Sequence, residues 1–316
     1  MLPWVEKYRP KNINEIISNE QNINIIKNML LNGSFPHLLF HGTSGTGKTS
    51  LIIALAKQIY KNNLNLMVMK LDASDVRGIN SVREEIKGFA EKKNMFQKGV
   101  KLIILDEADS MTFDAQFALR RIIEKYSEST RFCLICNYEN KIIPAIRSRC
   151  ANFRFNPIKN TDIISVLQKI CNKEQLNIKK ESLNIIALLS NGDLRKSINL
   201  LQSISMCDNI VTPDICYEFA GLPNKTNINL IYSYLIDENI NFSDANNKLV
   251  EIIKNNGYSL SIILKEITLN LLENLDDKNN KKFAYILSDL SDLENKISKS
   301  TFNDIYISSL VSIFKK

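Results

Sequence analysis

Gly42-Thr43-Ser44-Gly45-Thr46-Gly47-Lys48-Thr49 fits the spacing G-x-x-x-x-G-K-[ST]. Such a loop turns successive backbone N–H groups toward an anion at a helix N-terminus, and a lysine and a hydroxyl follow at once. Gly42, Thr43, Ser44, Gly45, Thr46 and Gly47 are thus expected to wrap nucleotide phosphates. Lys48 would reach the β and γ phosphates, the Thr49 hydroxyl would hold Mg²⁺, and Ser50 lies beside it. A second set, Asp106-Glu107-Ala108-Asp109, ends the apolar run Lys101–Leu105. Carboxylates at the carboxyl end of a strand stand where open α/β sheets bind ligands. Asp106 is placed to complete the metal site and Glu107 to polarise a water for attack on the γ phosphate. Asn137 ends the run Arg131–Asn137 at the level of that phosphate, where it could sense the phosphate or orient the water. Alone, it reads as a turn residue.

Two further arginines depend on their settings. Arg147 and Arg149 precede the last expected strand, at a flank too far from their own nucleotide but open to a neighbouring subunit. That suits an arginine supplied in trans, an effect worth about 10³ to 10⁵ in rate. Gly192-Asp193-Leu194-Arg195 opens a helix able to bring Arg195 over the γ phosphate. Cys133-x-x-Cys136 has no second pair at ligand spacing, so zinc is not expected there.

These residues need a scaffold, and up to Phe155 the chain alternates short apolar runs with helically spaced segments, the signature of a parallel sheet covered by helices. Strands are expected at His37–His41, Leu66–Leu71, Lys101–Leu105, Arg131–Asn137 and Asn152–Phe155. Helices are expected at Asn14–Leu31, Lys48–Lys61, Ile79–Lys92, Thr112–Tyr126 and Lys141–Ile146. The strand between Lys48 and Asp106, with a glutamate beside the metal aspartate, is what hydrolytic P-loop ATPases show. From Pro157 the pattern is helical only, with helices near 160–172, 180–190, 192–205 and 213–220. Gly221-Leu222-Pro223 breaks the chain before about five more helices. The division expected is 1–156 for the α/β nucleotide-binding domain, 157–222 for a helical lid and 223–316 for a helical collar.

Composition sets outer bounds. Residues 1–156 carry 23 Lys and Arg against 15 Asp and Glu, whereas 157–316 carry 18 against 19. The excess positive charge therefore lies with the phosphate loop, as for a surface facing a polyanion or simply a basic soluble one. No apolar run nears the ~18 residues of a spanning helix, and the N-terminus lacks a secretory pattern, so a cytosolic or nuclear location is expected. The six cysteines sit mostly in apolar runs and read as reduced core thiols.

Taken together with Trp4-Val5-Glu6-Lys7-Tyr8-Arg9-Pro10, Ala73-Ser74-Asp75, Arg77-Gly78-Ile79 and Ser148-Arg149-Cys150, these motifs occur in the order and spacing of AAA+ clamp-loader ATPases. The chain resembles the small subunits of replication factor C over essentially its full length. The resemblance implies ATP as substrate with Mg²⁺, a heteropentamer with the other replication factor C subunits, and a nuclear role in DNA replication and repair. It implies ATP-dependent opening of the sliding clamp PCNA and its loading on primer-template DNA. It makes Glu107 the base, Asn137 and Arg195 sensors, and Arg149 a finger acting on the next subunit's ATP. Tyr8, Arg9 and Pro10 would lie along the adenine. Arg77, Arg83 and Lys87 would contact DNA phosphates, and Gln116 and Arg120 resemble residues coupling DNA to the ATP site. Arg83 and Lys87 also read as a solvated helix face paired with Glu84 and Glu91. Two departures stand out: Thr43-Ser44 replaces a frequent proline pair, and Val76 a frequent acidic residue. Two other readings remain at this point, a nucleotide-binding scaffold that only lends Arg149, and a homohexameric DNA motor.

Overall fold

Successive strand residues point to opposite faces of a sheet, and here both faces are covered. The computed structural model describes residues 2–17, 19–31, 35–73, 79–91, 99–207, 210–237, 239–273, 280–299 and 304–315. Five parallel strands, β1 (His37–Gly42), β2 (Val68–Asp72), β3 (Lys101–Asp106), β4 (Thr130–Cys136) and β5 (Cys150–Phe155), lie in the order β2-β3-β4-β1-β5. Leu38 pairs with Cys133 and Ala151, and Asp72 with Asp106. Leu38, Phe40, Ile104 and Ile135 face one helical layer, while Leu39, Ile103, Leu105 and Leu134 face the other. Burial on both sides explains why the central strands read as unbroken apolar runs.

The connecting helices are α1 (Trp4–Lys7), α2 (Glu20–Leu31), α3 (Lys48–Tyr60), α4 (Leu64–Met67), α5 (Ile79–Glu91), α6 (Phe113–Tyr126) and α7 (Pro144–Arg147). Leu51, Ile52 and Leu55 of α3 pack on the first face of the sheet; Leu119, Ile122 and Ile123 of α6 and Ile146 of α7 pack on the second. Thr112 caps α6 by accepting the Ala115 N–H. Three further helices, α8 (Asn160–Glu174), α9 (Lys180–Ser190) and α10 (Leu194–Cys207), complete a compact unit spanning Met1–Ile210. The second unit, Val211–Lys316, holds α11 (Pro213–Phe219) to α16. Its last five helices are α12 (Lys225–Ile236), α13 (Phe242–Asn256), α14 (Leu260–Glu273), α15 (Asn280–Ile297) and α16 (Asp304–Phe314). Ile231, Leu249, Ile263, Leu290 and Leu310 join in their shared core.

Four local expectations need correction. The helix expected over Asn14–Leu31 is instead a 3-10 turn at Ile13–Glu15 followed by α2 from Glu20. Asn19 interrupts it with a left-handed φ of 60°, and its side-chain oxygen accepts the Asn156 N–H at 3.0 Å. The strand expected from Leu66 begins at Val68, after the helical turn α4. The helix expected from Lys141 starts at Pro144, because proline disfavours helical geometry in the residue before it and Ile143 is extended at ψ 142°. Beyond Pro157, two-residue strands occur at Asn177–Ile178 and Ile210–Val211. Among the described residues no helix is long and apolar enough to cross a membrane.

Candidate nucleotide site

β1 ends where the chain must run close to its neighbour. A Cβ on Gly42 would stand 2.2 Å from the Phe155 carbonyl oxygen, so only glycine fits. The loop then rises to Gly47, left-handed at φ 91°, and α3 begins at Lys48. The Thr46 hydroxyl donates to the Thr43 carbonyl at 2.9 Å and holds the loop's curve. Lys48 is buried, and its ammonium donates to the carbonyls of Gly42 (2.7 Å) and Thr43 (2.8 Å) and to the Asn137 side-chain oxygen (3.1 Å). Burial pulls the Lys48 pKa below its usual value, with the carboxylates of Asp106, Asp109 and Asp193 opposing. An ammonium held this way is positioned for an anion before one arrives, because its stem is fixed and its partners are neutral carbonyls and an amide.

Thr49 donates its hydroxyl to Asp106 Oδ2 at 3.1 Å. Two hard oxygen donors from different elements, α3 and the end of β3, therefore stand side by side and would suit a hard divalent cation. Lys70 on β2 lies 3.7 Å from Asp106 Oδ2 and tempers that carboxylate's charge. Glu107 follows in the left-handed region at φ 52°. That conformation costs a non-glycine residue about 1 to 2 kcal/mol, and it turns the chain so that Glu107, exposed, lines the cavity. Asp109 accepts the backbone N–H groups of Asn137 and Tyr138, both at 3.2 Å, and so fixes the exit of β4 where Asn137 meets Lys48.

Above the loop sits the start of α10. Leu194 donates its N–H to the Gly45 carbonyl at 3.3 Å, and Asp193 Oδ1 accepts the Lys196 N–H at 3.0 Å. Gly45, at φ 67°, packs so closely that an added Cβ would lie 1.7 Å from Asp193 Oδ1. This contact sets the first turn of α10 over the phosphate loop and brings Arg195 into the cavity wall. The N-terminal segment is tied to α8, α10 and α3. The Trp4 N–H donates to Gln202 at 2.8 Å, Glu174 of α8 takes both Lys7 and the Tyr8 hydroxyl, and Arg9 Nε donates to Ser50 at 3.4 Å. The cavity of about 680 Å³ is therefore walled by Tyr8, Arg9 and Pro10 together with Lys48, Asn137 and Arg195. Ser44, Gly45, Thr46, Gly47, Thr49, Ser50, Asp106 and Glu107 line it as well; Gly42 and Thr43 act one layer back through Lys48.

Residues expected at a distance fall elsewhere. Arg149 is not in this cavity; it stands beside α6, where Nη2 lies 2.6 Å from Glu124 and Nη1 donates to the Ala145 carbonyl at 2.7 Å. Lys87 is exposed on α5, 4.0 Å from Glu91. Arg77, and the side chain of Arg83, lie outside the described residues. Cys133 and Cys136 belong to opposite faces of the sheet and cannot share an ion. Lys70, Asp109, Asp193, Glu124 and Glu174 had no place in the sequence reading. Asp109 and Asp193 at least stood within motifs that it singled out.

The sheet order, the loop after β1, the acidic pair after β3, the polar residue after β4 and the helices that cover them define an AAA+ ATPase. Residues 38–158 match the family model described as ATPase family associated with various cellular activities, and residues 165–206 match the RCF1/5-like AAA+ ATPase lid domain. The Holliday junction branch migration motor RuvB of Thermotoga maritima shares the fold at a TM-score of 0.54 and 15% identity, over 83% of this chain and 91% of that one. The chain is 42% identical to replication factor C subunit 5 of Homo sapiens, over 99% of its length and 92% of the relative's. It is 43% identical to the probable subunit 5 of Dictyostelium discoideum over 99% and 90%, and 38% identical to subunit 3 of Saccharomyces cerevisiae over 99% and 93%. The chain belongs to the replication factor C subunit family, with relatives numbered five in humans and three in yeasts.

Proposed function

We propose that this chain is an ATP-hydrolysing small subunit of a clamp loader, which opens the sliding clamp PCNA and places it on primer-template DNA in the nucleus. The observation that carries the ATPase part is the pairing of Lys48 with Asn137 and of Thr49 with Asp106 in one cavity, with Arg195 in its wall. Lys48 and the loop N–H groups bind the β and γ phosphates. Thr49 and Asp106 would hold Mg²⁺, which when bound would supply positive charge beside the phosphate oxygens. Glu107 takes the proton of the attacking water, and Asn137 and Arg195 report whether the γ phosphate is present. Tyr8, Arg9 and Pro10 lie along the adenine. Arg149 completes the site of a neighbouring subunit, and Arg77, Arg83 and Lys87 contact DNA phosphates. The chain divides at 156 and 222 into nucleotide-binding, lid and collar domains. Family membership supports the rest of the role, since the other replication factor C subunits are the natural partners of a chain carrying half of two shared sites.

The test is turnover by the complex reconstituted with this chain. Primer-template DNA and PCNA added together should raise ATP hydrolysis, because contacts of Arg77, Arg83 and Lys87 with DNA phosphates favour the assembled, active arrangement of the subunits. A complete, folded complex whose turnover ignores both would remove the clamp-loading reading and leave the ATPase one.

A further inference from the structure

One oxygen of Glu124 serves two arginines. Glu124 Oε1 accepts Arg120 Nε at 2.9 Å and lies 2.6 Å from Arg149 Nη2. Arg149 is held at a second point by the Ala145 carbonyl of α7. The helix carrying Glu124 is itself locked to the segment before Arg149. Buried Gln116 donates to the Lys141 carbonyl at 3.0 Å and accepts the Ile143 N–H at 2.9 Å. The carboxylate thus occupies a fixed point beneath the guanidinium, with Arg120 one turn earlier on the same helix face.

From this geometry we infer that Glu124 is a positioning residue for Arg149, holding its guanidinium pre-oriented together with Arg120 for delivery to a neighbour's ATP. The inference rests on the reading of Arg149 as a finger. A guanidinium has five N–H donors, and the contacts to Glu124 and Ala145 leave others free for a phosphate. A free arginine on this surface would spread over many rotamers, and ordering it at the moment of catalysis would weigh against the rate. The two groups are partly exposed, at 36% for Arg149 and 38% for Glu124. Ion pairs this exposed add little to folding, so a role in stability does not explain the arrangement. Arg120 also sets a direction: its contact keeps Glu124 ionised, because it holds the carboxyl below the usual range, with Arg149 adding to the effect.

The experiment is a double-mutant cycle in the reconstituted complex, with Glu124→Gln and Arg149→Ala alone and together. Steady-state turnover is measured with DNA and clamp, alongside the melting temperature of this chain. Glu124→Gln should lower at least fivefold the part of kcat that Arg149→Ala removes, with KM for ATP and melting unchanged, and it should have no effect once Arg149 is alanine. Glu124→Asp should restore part of the loss. An equal loss in both backgrounds, a gain in turnover, or no loss at all overturns the inference while leaving the finger reading intact. If Arg149→Ala itself changes nothing, the finger reading fails first and takes the inference with it.

Discussion

At the residue scale, the proposed function has Lys48 and Glu107 divide the work between binding and chemistry. Lys48 is buried among carbonyls and the Asn137 amide, whereas Glu107 stands exposed at the end of a strained turn with no role in holding the fold. Removing only the basicity of Glu107 should therefore spare binding. Glu107→Gln is expected to keep ATP affinity and lower single-turnover hydrolysis by about 10² to 10⁴, the range of a general base. Nucleotide titration followed by rapid quench separates the two. Much of this residue-level site was legible, because the phosphate loop, the Asp106-Glu107 pair and Asn137 each carry their chemistry in local order. Glu124, Glu174 and Asp193 were not. Their partners Arg149, Lys7 and Gly45 lie 25, 167 and 148 residues away in sequence, and nothing local marks an acidic residue for such a contact.

At the scale of elements, the first turn of α10 and the phosphate loop fit without spare room. Gly45→Ala would place its Cβ on Asp193 and force a left-handed alanine besides. Isothermal titration should show ATP affinity reduced at least tenfold, as α10 is pushed from the loop and Arg195 with it. The fold that carries this contact was largely readable, since five strands and the helices between them follow from apolar runs and helical spacing. What failed was local: Asn19 broke a helix through a bond to Asn156, and proline geometry delayed α7. At the base of β1, burial holds His37 down at about 4, and its Nδ1 accepts the Phe132 N–H at 3.1 Å. The folded state binds this proton less readily than the unfolded chain. Stability is thus full above about 6.5, begins to fall below it and has lost the whole contribution near 4. Urea unfolding at pH 7 and 5 should show a larger drop for the wild type than for His37→Asn, whose amide oxygen can still accept.

At the scale of the whole molecule, the proposed reading gives the chain halves of two different sites. Its own cavity has the phosphate loop, Asp106, Glu107, Asn137 and Arg195, yet Arg149 lines no part of it and is held against α6 instead. On the proposed reading, such a chain completes its chemistry only beside other subunits of its complex. The excess basic charge lies in the half that bears both sites, with 23 Lys and Arg against 15 Asp and Glu in residues 1–156. That is the half proposed to face DNA. The position of Arg149 before the last strand already pointed to a neighbouring subunit, and the resemblance to clamp loaders singled it out as the finger for the next subunit's ATP.

The most direct test replaces Arg149 alone. In the reconstituted complex with primer-template DNA and clamp, Arg149→Ala should leave ATP bound to this chain at wild-type affinity. Total turnover should fall by the share of the neighbouring site, with that site slowed about 10³-fold or more. Unchanged turnover in a fully assembled complex would contradict the account, and so would a loss confined to this chain's own ATP.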